Sequence, residues 1–478
     1  MARRIGYWIC AWLIVSLAAI RAGQNSGDLL NDSEIRRLVA ERIKALGGEQ
    51  GAVGIVVGTI SSEGRKIISA GERSSDDSRS PDGDTAFEIG SVTKVFTALL
   101  LAEMIEQNEV GLNDPAAKYL PAGFKVPERD GKTISLLDLA THTSGLPFMP
   151  NESAISDDSA AAKYSTADLR RSVATSELHN RVGEKWEYSN IGYWLLSEAL
   201  AGRAGLDYET LLSKRVIMPL GLSNTAFAPS PKMKANFAAG HNAVLQAASP
   251  ISTLPIYSIM PAAGGLYSTA NDLLKLLAVA MDYEHSPLGG AMRLTWNTRR
   301  PMSRDGFEQA LGWTIIRERN SLLIVHDGGT FGYATSIAWD PVRRVGVVVL
   351  SNQVANVGNI ARHLLRPSIP LEKPTATKRT EVALDPTKFD IYVGNYEVTG
   401  EGIFAVAREA DSLTLRSPAE WGLPKFRLHP ENRQDFFVAE LPMHVAFQFE
   451  NDGSVKKLLV YPPRGQKSIS AVRLRSSR

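Results

Sequence analysis

Hydrophobic and polar positions follow two different periods along this chain. Between 33 and 45, Ile35, Leu38, Val39, Ile43 and then Leu46 recur at helical spacing, and Ser33 can cap the start of that helix. Apolar runs at 52–60 and 66–70 flank a Ser61-Ser62-Glu63-Gly64 turn and predict a hairpin. Residues 96–105 are apolar nearly all round and lack Gly and Pro, the pattern of a helix buried on every face. Farther on, Gly264 and Gly265 end a loop, and Ser268 or Thr269 caps a helix over 271–279. Three β-rich runs follow at 321–325, 333–339 and 345–351, with Asp340-Pro341 turning the chain between the last two. Connections this short make antiparallel neighbours. The pattern predicts an α+β fold: an antiparallel sheet packed by helices, with a mostly helical subdomain inserted between its early and late strands.

Pro367, Pro370, Pro374 and Pro386 punctuate a polar stretch of weak periodicity, which places a linker at 367–386. Beyond it, short strands at 404–407, 412–415, 436–438, 445–449 and 455–460, separated by turns such as Asn451-Asp452-Gly453, predict a small all-β, barrel-like domain over 387–478. At the other end, Arg3 and Arg4 precede an apolar run over 5–20, and the small residues Ala18, Ala19, Ala22 and Gly23 follow. That is the layout of a secretory signal peptide over 1–22, leaving 23–366 as the main domain and implying a periplasmic or secreted protein. The alternative for the same segment is an uncleaved anchor that retains the chain at the membrane. The sole cysteine, Cys10, lies inside the apolar run, so a cleaved chain has no thiol, and cysteine nucleophiles, disulfides and thiolate metal sites are excluded together. The 53 basic and 51 acidic residues among 478 nearly cancel, leaving no nucleic-acid footprint. The expected partner is a small molecule or a peptide, and no protein partner is evident.

Three short patterns carry chemistry. Ser91-Val92-Thr93-Lys94 runs into the apolar helix, and positions three apart share a helical face, so the lysine can reach the serine hydroxyl. Apolar surroundings depress a lysine's pKa and free it to act as a base. A second Ser-x-x-Lys at Ser454–Lys457 follows Asp452-Gly453 in a hairpin without a helix, so the spacing also arises by chance. Tyr188-Ser189-Asn190 sits in a polar loop before an apolar helix, where Tyr188 relays a proton if nearby cations lower its pKa and Asn190 binds a catalytic side chain or a carbonyl. His326-Asp327-Gly328-Gly329 ends the run 321–325, and its glycines let a substrate backbone lie against a strand edge. Each pattern also has a plain structural explanation, as a helix cap, a capping loop and a glycine turn. There is no Gly-x-Ser-x-Gly elbow and no His-Glu-x-x-His motif, so neither a cofactor nor a metal is implied.

The ordered set Ser-x-x-Lys, Tyr-x-Asn and a strand-borne cation-x-Gly resembles the class C β-lactamase and penicillin-binding-protein superfamily of serine hydrolases. Phe87-Glu88-Ile89-Gly90, the stretch Leu136-Leu137-Asp138-Leu139-Ala140-Thr141-His142-Thr143-Ser144-Gly145-Leu146, and Pro261-Ala262-Ala263-Gly264-Gly265-Leu266 extend the resemblance over about 30–360. More loosely, Tyr392-Val393-Gly394-Asn395-Tyr396 is similar to the small β-domain that trails many β-lactamase-related hydrolases. The resemblance implies that Ser91 forms an acyl-enzyme, that Lys94 and Tyr188 share the proton transfers, and that Asn190 orients the substrate. It also implies an oxyanion hole from the N–H groups of Ser91 and Gly329, with His326 and Gly328 lining the substrate strand. The favoured activity is that of a D-Ala-D-Ala carboxypeptidase or β-lactamase, with a promiscuous esterase or an acylating penicillin-binding sensor without turnover as alternatives. His326 stands where many relatives carry lysine. A histidine of ordinary pKa is mostly neutral at pH 7, which implies weak β-lactamase activity and a carboxylate preference that grows as pH falls.

Overall fold

The computed structural model describes residues 29–46, 53–150, 164–242, 259–318, 321–354, 357–371, 379–399, 402–418, 425–441, 443–461 and 468–474. The segment 1–22 with Cys10, and 372–378 of the proline-rich stretch, lie outside the described residues.

Helix α1 (Asp32–Ala45) is capped by Asn31 and not by Ser33. The Asn31 side chain accepts the Glu34 N–H at 3.0 Å, and the Glu34 carboxylate returns to the Asn31 N–H at 3.0 Å. This box satisfies two of the donors that a helix start leaves open. Asn31→Ala is expected to lower stability by about 1 kcal/mol, read as a shift in the urea midpoint; an unchanged midpoint would mean the box contributes nothing.

The hairpin forms from β1 (Gly54–Ser61) and β2 (Gly64–Gly71), and β3 (Phe87–Glu88) then pairs with β4 (Tyr267–Ser268) in a separate ribbon. Between β3 and β4 run α2 (Thr93–Glu106), α3 (Asn190–Ala204) and the short α4 (Pro261–Gly264). Then come α5 (Ala270–Ala280), capped by the Thr269 side chain, and strands β5 (Arg299–Pro301), β6 (Phe307–Ala310), β7 (Thr314–Glu318), β8 (Ser321–Gly329), β9 (Ala334–Asp340) and β10 (Val345–Ser351), followed by α6 (Gly358–Leu365). The antiparallel main sheet has the order β2-β1-β10-β9-β8-β7-β6-β5, so its early and late strands meet where β1 pairs with β10.

Side chains alternate between the two faces of this sheet. Val56, Ile60, Ile324, Ile337, Trp339, Val348 and Leu350 join the larger core with α2, α3 and α5. Ile55, Val57, Leu323, Val325, Ala338, Val347 and Val349 pack against Ile35 and Val39 of α1 and Ile360 and Leu364 of α6. Helix α2 is buried along nearly its whole length, which explains why its apolar residues show no polar side.

The remaining strands form a closed antiparallel barrel: β11 (Gly394–Val398), β12 (Gly402–Glu409), β13 (Ser412–Arg416), β14 (Phe426–Pro430), β15 (Asp435–Val438), β16 (Met443–Phe449), β17 (Val455–Tyr461) and β18 (Ile469–Arg473). Pairing of Tyr396 with Arg473 closes the ring, and Tyr396, Phe404, Phe426, Phe436 and Phe447 fill its interior. The fold is therefore α+β with a C-terminal barrel. Part of the proline-rich stretch lies along that barrel, where the Val382 N–H donates to the Pro430 carbonyl at 2.8 Å.

Candidate active site

The serine turn is built from both sides. A 3-10 turn, Gly90–Val92, leads directly into α2, so Ser91 sits at the helix start and Lys94 lies one turn on. Gly90 has φ +49° and abuts β8: a Cβ there would lie 2.8 Å from the Gly329 nitrogen. On the β8 side, a Cβ on Gly328 would lie 2.1 Å from the Ile89 carbonyl oxygen and 2.3 Å from Thr335 Oγ1, whereas one on Gly329 would meet nothing nearer than 3.8 Å. Gly328 is thus required by the backbone of the serine turn itself. Thr335 Oγ1 donates to the same Ile89 carbonyl at 2.9 Å and ties β9 to the turn.

Lys94 is wholly buried, and its ammonium nitrogen lies 2.8 Å from Asn190 Oδ1, 2.6 Å from the Ala263 carbonyl oxygen and 3.2 Å from Ser91 Oγ. Two of those partners can only accept, so they take two N–H bonds. The third direction faces a hydroxyl that can donate. A neutral amine here turns its lone pair towards Ser91. Burial, with no carboxylate among the described residues to offset the loss of water, pushes the Lys94 pKa well below the usual lysine value and favours that neutral form.

Tyr188 donates to Ser91 Oγ at 2.8 Å, and Lys94 Nζ lies 4.9 Å from its ring centre. Burial raises the phenol above its ordinary pKa and outweighs the opposing hydrogen bond with Ser91. The sequence left a lowering by neighbouring cations as a condition, and this environment does not meet it. Tyr188 is a neutral donor. Asn190 opens α3 beside it, and the Ser189 side chain caps that helix on the Gly192 N–H.

His326 is buried on β8, with Nδ1 2.6 Å from the Gly312 carbonyl oxygen. A carbonyl only accepts, so Nδ1 carries the proton and Nε2 keeps its lone pair. Burial, helped by Lys94, pushes its pKa down to about 4. A histidine in that state is neutral at pH 7 and presents an acceptor, not a cation. Asp327 points to the opposite face of β8, where Ser336 Oγ donates to it at 2.7 Å and Arg362 pairs with it at 2.8 Å.

Ser91, Lys94, Tyr188 and Asn190 therefore share one hydrogen-bonded cluster, and Gly328 and Gly329 lie against the turn that carries Ser91. The other Ser-x-x-Lys is in the barrel: Ser454 Oγ donates to Asp452 Oδ1 at 2.6 Å on the surface. Three contributors carried no chemical signal in the sequence: the carbonyls of Ala263 and Gly312, and His142, whose ring stacks on Tyr188. Ala263 and His142 lie within stretches that resembled the superfamily, but a backbone carbonyl has no residue signature. Among the described residues no cluster of three or more His, Cys, Asp and Glu side chains could hold a metal.

Residues 36–366 match the Beta-lactamase family. The chain belongs to the beta-lactamase family. This beta-lactamase-family serine hydrolase is 30% identical over 316 residues to the D-alanyl-D-alanine-carboxypeptidase/endopeptidase AmpH of Escherichia coli strain K12, covering 63% of this chain and 79% of AmpH. It is also 25% identical over 277 residues to Protein flp of Staphylococcus aureus strain COL, covering 56% of this chain and 53% of that protein. Among solved structures, a class C beta-lactamase superposes with a TM-score of 0.60 at 21% identity, covering 72% of this chain and 99% of the other. At that identity the superposition speaks for the fold alone.

Proposed function

We propose that this chain hydrolyses amide or ester bonds through an acyl-enzyme on Ser91, with D-Ala-D-Ala peptides of the cell wall as favoured substrates. The observation that carries the reading is the buried Lys94 whose two other hydrogen-bond partners are carbonyl oxygens, so that among its partners in the described residues Ser91 is the one able to give it a proton. In this reading Lys94 takes the hydroxyl proton as Ser91 Oγ attacks the carbonyl carbon. The N–H groups of Ser91 and Gly329 receive the developing oxyanion. Tyr188, a neutral donor, gives its proton to the leaving nitrogen or oxygen and takes back the one that Lys94 holds, which returns the lysine to its neutral form. A water molecule then gives a proton to Lys94 as it attacks the acyl carbon, and Ser91 leaves with that proton. Asn190 holds Lys94 and the substrate's acyl amide. The name of AmpH supports the peptide substrate, and the N-terminal pattern supports export to the periplasm or medium. The same proposal divides the chain into a hydrolase unit over 23–366, a linker over 367–386 and a barrel unit over 387–478.

The neutral His326 favours a second reading, a promiscuous esterase, because nothing in its state attracts a terminal carboxylate. A matched pair of substrates separates the two: a peptide ending in a free carboxylate and the same peptide as its amide. Shared acyl-transfer chemistry cancels in the ratio of their kcat/KM values. A histidine with its pKa pushed down to about 4 gains charge only as pH falls through that value, so the ratio is expected to stay flat from pH 6 to pH 8. A ratio that climbs as pH drops from 8 to 6 would restore the charged-histidine reading. Assaying nitrocefin and p-nitrophenyl butyrate alongside tests turnover directly: a burst of acylation without a steady rate would mean a sensor and would overturn the hydrolase.

A further inference from the structure

His142 is wholly buried, titratable, and outside the proton path just described. It has a left-handed φ of +56°, unusual for a residue with a side chain, and its backbone is held there by two contacts: its N–H donates to the Leu139 carbonyl at 3.3 Å, and its carbonyl accepts the Glu187 N–H at 2.8 Å. The Glu187 contact ties it to the residue just before Tyr188. The Ser189 N–H, on the residue just after Tyr188, donates to His142 Nδ1 at 3.1 Å. Between these two anchors the imidazole stacks on the Tyr188 ring, with centres 4.3 Å apart and planes 30° apart. The Tyr193 ring also packs against the imidazole, tilted, with centres 5.1 Å apart.

The tautomer follows from the contacts. An amide N–H only donates, so Nδ1 is an acceptor and the proton of the neutral ring is on Nε2. That buried Nε2 has no hydrogen-bond partner among the described residues. Burial opposes a positive charge on the ring, and Lys94 and His326 in their charged forms would add to that opposition. The imidazole is therefore not held in place by its own polar needs. What it does make is an acceptor for the Ser189 amide and a flat surface against the phenol.

We propose that His142 is a positioning residue: clamping the peptide on both sides of Tyr188 and stacking on its ring, it holds the phenol hydroxyl on Ser91 for proton donation to the leaving group. This inference rests on the role given to Tyr188 above. It predicts a loss that depends on how much the leaving group needs a proton, which damage to the fold would not produce.

The test compares kcat/KM for p-nitrophenyl butyrate, whose phenolate departs unaided, with that for ethyl butyrate, whose alkoxide must be protonated as it leaves. His142→Phe keeps a flat ring but leaves the Ser189 amide without its acceptor. His142→Asn restores an acceptor near the Nδ1 position without the stacked ring. Either variant is expected to lose about 30-fold on ethyl butyrate and less than about threefold on p-nitrophenyl butyrate, most of it in kcat. Tyr188→Phe is the reference and should show the same split, larger. Equal losses on both esters in the two His142 variants, or no loss in either, overturns the proposal. If Tyr188→Phe itself shows no split, the role given to Tyr188 fails first and the positioning role falls with it. Undiminished labelling of Ser91 in the parent chain separates both outcomes from failure of the acyl-enzyme reading.

Discussion

Alanine at position 91 is expected to end covalent labelling by a fluorophosphonate probe, and Lys94→Met to slow that labelling by about a thousandfold. The two losses have different causes. Without Ser91 there is no nucleophile, and peptide mapping of the parent should find the label on that residue alone. Without Lys94 the hydroxyl remains but no base faces it. Methionine is the informative replacement because it keeps the volume of the buried chain while removing the nitrogen.

The same variant exposes the electrostatic strain of the site. Burial lowers the Lys94 pKa in the folded state, whereas an unfolded lysine keeps its ordinary value. Between those two values unfolding takes up a proton, so this group's contribution makes stability rise with pH across that window. The parent should therefore gain stability relative to Lys94→Met as pH is raised towards the ordinary lysine value, read as the difference between their denaturant midpoints. A difference that does not change with pH, together with undiminished labelling, would mean that Lys94 stays charged and is not the base.

The second large effect is expected at Gly328. A methyl group there would sit 2.1 Å from the Ile89 carbonyl oxygen, and that atom is backbone, unable to swing aside. Either β8 or the serine turn must move, at a cost of about 1–3 kcal/mol in stability. A displacement of even an ångström between Ser91 and the Gly329 N–H spoils the alignment of nucleophile and oxyanion donor, so kcat for any ester substrate should fall about a hundredfold. Gly329→Ala is the control. Its methyl group would meet nothing closer than 3.8 Å, so its denaturant midpoint should stay close to that of the parent. If the two variants behave alike, contact with the serine turn is not what requires glycine at 328.

The parts of this molecule that the sequence displayed are those where a single side-chain pattern decides the structure. Helix α2 was visible because burial on every face leaves no polar stripe, and β8 to β10 because tight turns separate apolar runs. Strands β5, β6 and β7 were not foreseen. They carry Arg299, Arg300, Glu308, Gln309 and Arg317 among few apolar residues, as suits strands towards the sheet's edge. In the barrel, β11, β14 and β18 escaped for a related reason: each is five residues long with alternating exposed positions, and it is ring closure that gives them partners.

In the cluster itself, the Ser91–Lys94 contact follows from helical spacing, and its meeting with Tyr188 and Asn190 was carried by resemblance. What no local pattern could display is the rest of the lysine's environment. Its third partner is a carbonyl 169 residues away, and the histidine whose charge was expected to matter is neutralised by burial and by a lysine from another element. Such facts belong to the packing of distant segments, where residue identity says little.

The pairing of β1 with β10 bears on how this protein is made. The Gly54 N–H donates to Asn352 Oδ1 at 2.7 Å across 298 residues of intervening chain. Chains leave the ribosome N-terminus first, so β1 and β2 wait as a two-stranded hairpin, marginal on its own, while most of the chain is synthesised. The serine turn waits too, because the strand it abuts through Gly328 is among the last parts of the hydrolase to emerge. A nascent chain stopped before residue 345 has both Ser91 and Lys94 but lacks the strand that completes its sheet. It exposes the open edge of β1 to other unfinished chains, so for this architecture truncation during synthesis leads to aggregation before it leads to stray hydrolysis.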